Sequence, residues 1–177
     1  MFIDIAKKRR SVKKYTAQPV EQEKIDTIIE TALRVPSGKA ARPWEFVVVN
    51  DRDLLAKLSV AKPVGAEFVK EAPAAIVVCA DPSKSPLWVE DCAIAAVTMQ
   101  YAAVSTGLGS RWAQIRGNKY NDDQSSRDYI AGLLGLPDNL EVACIIAIGY
   151  PGEEIIPYKR EDLDFGKASY NQYGQSG

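Results

Sequence analysis

The sequence predicts an α+β sandwich, one small sheet flanked by helices. Three observations lead there. Apolar residues recur at helical spacing early in the chain, three short apolar runs bounded by turn residues read as strands, and helical and strand-like segments alternate up to Gly149. With 177 residues, 46% hydrophobic and 25% charged, the composition is that of a single globular domain with a sizeable core.

The first helix is carried by Ile25, Ile28, Ile29, Ala32 and Leu33, which fall on one face of a 3.6-residue period. It should stop by Val35, because Pro36 disfavours helical geometry in the residue before it. Phe46 to Val49 then reads as a short buried strand. Asn50 or Asp51 is placed to cap a helix through Leu54, Leu55 and Leu58. Ala74 to Ala80 is a second apolar strand. Ser85-Pro86 has the form of a helix start, serine as N-cap and proline at the first helical position. That helix should run to Ser105 or Thr106, with Gly107 as a left-handed terminator. Its alanines spread around several faces, which predicts a central, buried helix. A short strand near Ser110 to Ala113, a helix from Ser125 to Leu134 stopped at Gly135, and an apolar strand from Val142 to Ile148 complete the core. Residues 1–150 thus form the expected core. Residues 151–177, proline-rich, charged and weakly periodic, read as a C-terminal arm that packs on this subunit or on another.

Composition excludes several chemistries. No histidine is present, which removes serine–histidine triads, histidine metal sites and imidazole acid–base catalysis. No metal site is expected. The cysteines Cys79, Cys92 and Cys144 form no CxxC pair and read as buried thiols of a reducing compartment. Lysine plus arginine number 22 against 23 acids, so no bulk attraction to nucleic acid or membrane is expected. The N-terminus shows no apolar stretch of signal-peptide length before its charges. The most apolar long segment, residues 86–108, carries Glu90, Asp91 and Gln100, which argues against a membrane span. A soluble, cytoplasmic protein is expected, and any redox chemistry belongs to a cofactor.

Charge is nevertheless uneven. Residues 1–20 hold Lys7, Lys8, Arg9, Arg10, Lys13 and Lys14 against Asp4 alone, a local net of +5. Arg9, Arg10, Ser11 and Lys13 offer guanidinium forks, a hydroxyl and an ammonium within five residues, a set suited to a phosphate; a solvated helix end would show the same cluster. Lys159-Arg160 is a second basic pair. Dinucleotide motifs fail: Gly107-Leu-Gly109 is followed by Trp112 where the third glycine would stand, and no P-loop exists. Between helix and strand, Pro36-Ser-Gly-Lys-Ala-Ala-Arg-Pro-Trp44 is a loop that would let backbone approach a flat ligand.

Taken in order, the chain resembles the FMN-dependent nitroreductase family. The resemblance rests on Arg9-Arg-Ser-Val-Lys-Lys-Tyr15, Val35-Pro-Ser37, Pro43-Trp-Glu-Phe46, Glu71-Ala-Pro73, Glu90-Asp91, Gly107-Leu-Gly109, Leu133-Leu-Gly-Leu-Pro137, Ile148-Gly-Tyr-Pro151 and Lys159-Arg160. It implies a mixed sheet of four to five strands flanked by helices, in an intertwined homodimer with exchanged C-terminal arms. It also implies FMN at the interface, with NADH or NADPH as electron donor and a small electron-poor acceptor reduced at the flavin, without a protein acid or base. Carried over, Arg9, Arg10 and Ser11 resemble phosphate and ribityl contacts, joined by Lys159 or Arg160. Lys13 would face the flavin edge where reduction places negative charge. Pro36, Ser37 and Gly38 would come from the partner subunit, and Ala113 and Gln114 would pass the flavin N5. The chain departs from the pattern at Ala40 and Arg42, where asparagine and glutamine are common. It departs again at Gln114 and Ile115, where glycines are common and side chains would narrow the pocket. Lys39 and Arg42 are thereby the expected substrate-binding cations, unless Arg42 pairs with Glu45.

Overall fold

The computed structural model describes residues 1–175; the last two residues of the expected arm lie outside the described part. Nine main elements follow in chain order: α1 (Phe2–Lys8), α2 (Gln22–Leu33), β1 (Trp44–Val49), α3 (Arg52–Leu58), β2 (Ala74–Ala80), α4 (Trp88–Ser105), β3 (Gly109–Gln114), α5 (Ser126–Leu134) and β4 (Glu141–Gly149). The strands form one sheet in the order β1-β2-β4-β3. All three pairings are antiparallel. The parallel component expected of a mixed sheet is confined to an isolated bridge between Ser11 and Ser110.

Side-chain alternation divides the core into two layers. Ala75, Val77 and Cys79 of β2 face α3 and α5, whereas Ile76, Val78 and Ala80 face α2 and α4. Every residue of β2 is buried, because β2 lies between β1 and β4 and is covered on both faces. A bulge interrupts the β2–β4 register at Val78/Cys79. There the Ala143 carbonyl accepts the N–H groups of both Ile115 (3.2 Å) and Arg116 (3.0 Å), which bends the chain leaving β3.

Most boundaries follow local chemistry. The Asp51 carboxylate accepts the Leu54 N–H (2.9 Å) and caps α3. The Ser125 hydroxyl caps α5, which ends at Gly135 in left-handed geometry (φ 69). The start of α4 differs from the sequence expectation. The helix begins at Trp88, and Ser85 does not cap it. Its hydroxyl donates instead to Asp91 (2.9 Å), leaving residues 82–87 as turns. Nor is α4 buried all round. Asp91, Ala95, Met99 and Ala102 face inward, while Ala93, Ile94 and Val97 form an exposed apolar stripe, because only one side meets the sheet and α2. Helix α1 was not expected. Its Asp4 carboxylate meets the N-terminal amine at 2.9 Å, and Lys7 and Lys8 fall in its last turn, where cations suit the helix dipole.

The three cysteines are buried and free. Burial pushes the Cys79 and Cys92 thiols up to about 12, so they stay protonated and unreactive near neutrality. No helix among the described residues is long and apolar enough to cross a membrane.

Candidate functional site

Residues 10–15 form a segment that meets the open edge of β3 at Ser110 and then pairs with the chain just past β4. Val12 N–H donates to the Ser110 carbonyl (3.0 Å), and Tyr15 bridges to Pro151. Val12 is 1% exposed while Ser11 and Lys13 point to solvent, the alternation expected of extended chain. Gly109 makes this approach possible: a Cβ there would overlap the Val12 side chain and lie 3.1 Å from Pro151 Cγ. Gly109→Ala therefore overpacks the junction that carries Ser11 and Lys13. A cost of about 1–3 kcal/mol is expected, read as a melting temperature lowered by about 2–4 °C for each kcal/mol. An unchanged melt would show that the segment moves aside freely.

Arg10, Ser11 and Lys13 line one open cavity of about 220 Å³, together with Glu153, Glu154, Ile155 and Ile156. Arg10 also borders a neighbouring cavity of about 230 Å³ against Val104, Gly107 and Leu108 at the C-terminal end of α4. The root of the arm is stitched to this segment. Thr16 N–H donates to the Tyr150 carbonyl (2.9 Å) and Gly152 N–H to the Lys14 carbonyl (2.8 Å). The Glu153 carboxylate accepts the N–H groups of Lys13 and Lys14. These amides answer the Glu153 charge, so the cavity is not simply acidic on its arm side. Farther along, the Tyr158 ring lies 3.8 Å beneath the Arg10 guanidinium, a cation–π contact, whereas the next two residues, Lys159 and Arg160, line neither cavity. Arg160 stacks over Phe165 at 4.5 Å. Arg9 is half-buried and lines neither cavity.

The loop after α2 is held differently. Lys39, Ala40 and Arg42 have φ of 51°, 56° and 47°, left-handed geometry that costs a non-glycine residue about 1–2 kcal/mol. Within the loop, Arg42 N–H donates to Ser37 Oγ (2.9 Å), Ala40 N–H to the Ser37 carbonyl (3.0 Å) and Ala41 N–H to the Gly38 carbonyl (3.0 Å); Gly38 N–H donates to Asp91 Oδ1 (2.8 Å), whose other oxygen accepts the Ser85 hydroxyl (2.9 Å). Asp91 is 2% exposed. A Cβ on Gly38 would lie 2.9 Å from Leu87 Cδ1, so the loop rests directly on the start of α4. Pro36, Ser37, Gly38, Lys39 and Arg42 are therefore together, but at the other end of α4 from Arg10, Ser11 and Lys13. From Asp91 to Val104 the helix advances about 20 Å at 1.5 Å per residue.

At the end of β3, Gln114 is exposed and its amide oxygen accepts the Trp112 indole N–H (3.0 Å). Ala113 and Ile115 are each 1% exposed within the core layer facing α3 and α5. The Ile115 side chain is therefore packed into the core, and Ala113 has only backbone to offer a ligand. Glu45 lies 3.7 Å from Lys84 and does not pair with Arg42. Burial also raises the Tyr15 phenol far above its usual range, keeping it a neutral donor to the Ala147 carbonyl (3.3 Å). Sequence reasoning missed Asp91 and Ser85 as a pair, Glu153, and Tyr158. The available signal was an acid within an alanine-rich helix, at the helical spacing that faces inward.

An α+β sandwich of order β1-β2-β4-β3, with a basic segment beside its β3 edge and a long chain continuing past the interior strand β4, is the nitroreductase-type fold. A solved FMN-dependent nitroreductase of Clostridium difficile R20291 matches it with a TM-score of 0.94 and 44% identity, covering 97% of this chain and 99% of that one. The family model described as Nitroreductase family matches residues 6–62 and 54–150, and the chain belongs to that family. A protein of Archaeoglobus fulgidus, provisionally named NADH dehydrogenase/NAD(P)H nitroreductase, is 37% identical over 158 residues, 87% of each chain. Human iodotyrosine deiodinase 1 is 44% identical over 57 residues, 32% of this chain and 20% of that one.

Proposed function

We propose that the protein is an FMN-dependent oxidoreductase that draws electrons from NADH or NADPH in a ping-pong cycle. It delivers them to nitroaromatics, quinones or related electron-poor acceptors, and it works as a cytoplasmic homodimer. The observation that carries the reading is the gathering of Arg10, Ser11 and Lys13 on one cavity in a chain of this family. A guanidinium fork, a hydroxyl and an ammonium are the donors that a phosphate and its ribityl chain need, so this set fits FMN. Arg10, Ser11 and Lys13 would hold FMN there, and the bound flavin would supply the hydride-transfer chemistry between nicotinamide and acceptor.

The chain's own residues bind and orient. Arg10, joined by Lys159 and Arg160 from the arm, neutralises the phosphate, and Arg9 adds charge beside it. Ser11 holds a hydroxyl. Lys13 offers a cation to the reduced ring, its backbone fixed by Glu153. Gln114 is tied to Trp112 beside the bend at Ala143. Pro36, Ser37 and Gly38 act from the second copy, and residues 151–177 embrace it. This assembly is supported by the two groups standing at opposite ends of α4, with the apolar Ile94 and Val97 exposed between them. Two copies packed with antiparallel α4 helices bring one chain's loop beside the other's basic segment and cover that stripe.

The absorbance spectrum of the purified protein tests the cofactor. Flavin bands, bleached by NADH or NADPH and restored by a quinone, are expected. A colourless protein that takes up no added FMN overturns the reading. The local likeness to iodotyrosine deiodinase motivates a dehalogenating alternative, in which iodide release from 3-iodo-L-tyrosine exceeds nitro reduction.

A further inference from the structure

We propose that the Ser85–Asp91 pair is a positioning device for the 37–42 loop, and that the loop so held presents Lys39 and Arg42 to an anionic group on a substrate. The inference rests on the oxidoreductase reading above. Its observations are local and independent of one another. Asp91 and Ser85 are each 2% exposed, yet among the described residues the carboxylate has no ion-pair partner. Both of its oxygens are used, one by Gly38 N–H and one by the Ser85 hydroxyl. Ser85 is itself held by Leu87 N–H, which donates to its Oγ (3.1 Å). A buried charge kept in this way needs compensation from its hydrogen bonds, so both of its partners are constrained in turn.

The constraint acts on an unusual backbone. Three non-glycine residues in left-handed geometry, Lys39, Ala40 and Arg42, persist only where surrounding contacts over-determine them. The strain has a consequence for charge. Lys39 and Arg42 are exposed, and neither has an ion-pair partner among the described residues. Glu45, the nearest acid in sequence, is 3.7 Å from Lys84 instead. The fold therefore spends a buried carboxylate on holding out two unpaired cations, and an anion is the chemistry that answers them. A carboxylate or sulfonate on the electron acceptor would do so, and so would the additional phosphate that distinguishes NADPH from NADH.

The test uses the full-length holoprotein and three variants: Asp91→Ala, Asp91→Asn and Ser85→Ala. kcat/KM is measured for a matched pair of nitroaromatics, one with a benzoate carboxylate and one neutral, and for NADPH against NADH, at low and high salt. Solvated charge pairs of this kind shift such ratios by roughly 3- to 10-fold for two cations together, and salt should shrink the preference. The wild type should favour the anionic member of at least one pair. Asp91→Ala should bring that ratio to within about twofold of unity. Asp91→Asn, which keeps an oxygen for Gly38 N–H, should retain most of it, and Ser85→Ala should fall between the two. Movement in the nitroaromatic pair assigns the anion to the acceptor; movement in the nicotinamide pair assigns it to the NADPH phosphate.

A merely structural role lowers both members of each pair equally and leaves the ratios where they were. That outcome overturns the proposal, as does a wild type that prefers neither anion. If Asp91→Ala yields no folded protein, Asp91→Asn and Ser85→Ala decide alone, and unchanged ratios in both again overturn it. A wild type without flavin or turnover sinks the oxidoreductase reading, which is thereby distinguished from failure of this one.

Discussion

A chain ended after Tyr150 is expected to purify without FMN and to lose its dimer. The cut removes the Glu153 carboxylate that fixes the Lys13 and Lys14 amides, and the Tyr158 ring beneath Arg10. It also removes Lys159 and Arg160, both proposed to meet the phosphate. A hydrogen bond to a charged group contributes about 1.5–3 kcal/mol, so losing two such contacts should weaken FMN at least about 100-fold. Assembly fails for a separate reason. No residue from 151 to 175 is buried, and Ile156 and Phe165 are 71% and 55% exposed. A run of large apolar side chains with nothing to cover them on its own subunit is what an arm laid on a partner would carry. Gel filtration and the flavin absorbance of the same sample decide the point. A truncated protein that stays dimeric and yellow overturns the arm reading.

Arg10→Ala is expected to lower FMN affinity about 10- to 100-fold, the loss of one charge-assisted phosphate contact. Riboflavin, which lacks the phosphate, should lose almost nothing. Arg10 is the more informative of the two adjacent arginines. It borders both cavities and carries the Tyr158 contact, whereas Arg9 lines neither cavity. Because Arg10 also holds the arm, Tyr158→Leu is the control: losing the cation–π contact alone should cost about 0.5–1 kcal/mol, roughly two- to fivefold. Titration of each variant with FMN and with riboflavin separates the effects. Equal losses for both flavins in Arg10→Ala would show that the residue acts through folding.

Much of this architecture was legible along the chain because its causes are local. Asp51 and Ser125 cap α3 and α5 from their own positions, and Gly107 and Gly135 take left-handed geometry just after α4 and α5. Val142 to Ile148 is too apolar to be anything but buried. The misreadings have equally specific causes. Ser85 looked like a cap because capping needs only neighbouring amides. Its oxygen does accept a neighbouring amide, that of Leu87, but its hydroxyl proton goes to Asp91, six residues on, and the helix begins only at Trp88. Ile115 looked like a pocket residue, but just past β3 its side chain is buried in the core layer facing α3 and α5.

By itself the sequence determined the α+β class, the absence of histidine chemistry, the basic cluster at residues 7–14 and the family pattern that ties them to a flavin. The first three are properties of composition or short-range spacing, and the tie to a flavin is what the resemblance to the nitroreductase family implies. Only the tertiary structure decided which cations share a cavity, since Arg10, Ser11 and Lys13 meet residues 153–156 across a separation of about 140 positions. It alone placed the 37–42 loop at the far end of α4, and it alone revealed the Ser85–Asp91 anchor beneath that loop. The physical reason is common to all three. Local propensities set the elements, but a site is made where chain segments remote in sequence are forced together by burying their apolar faces, and no local period records that encounter.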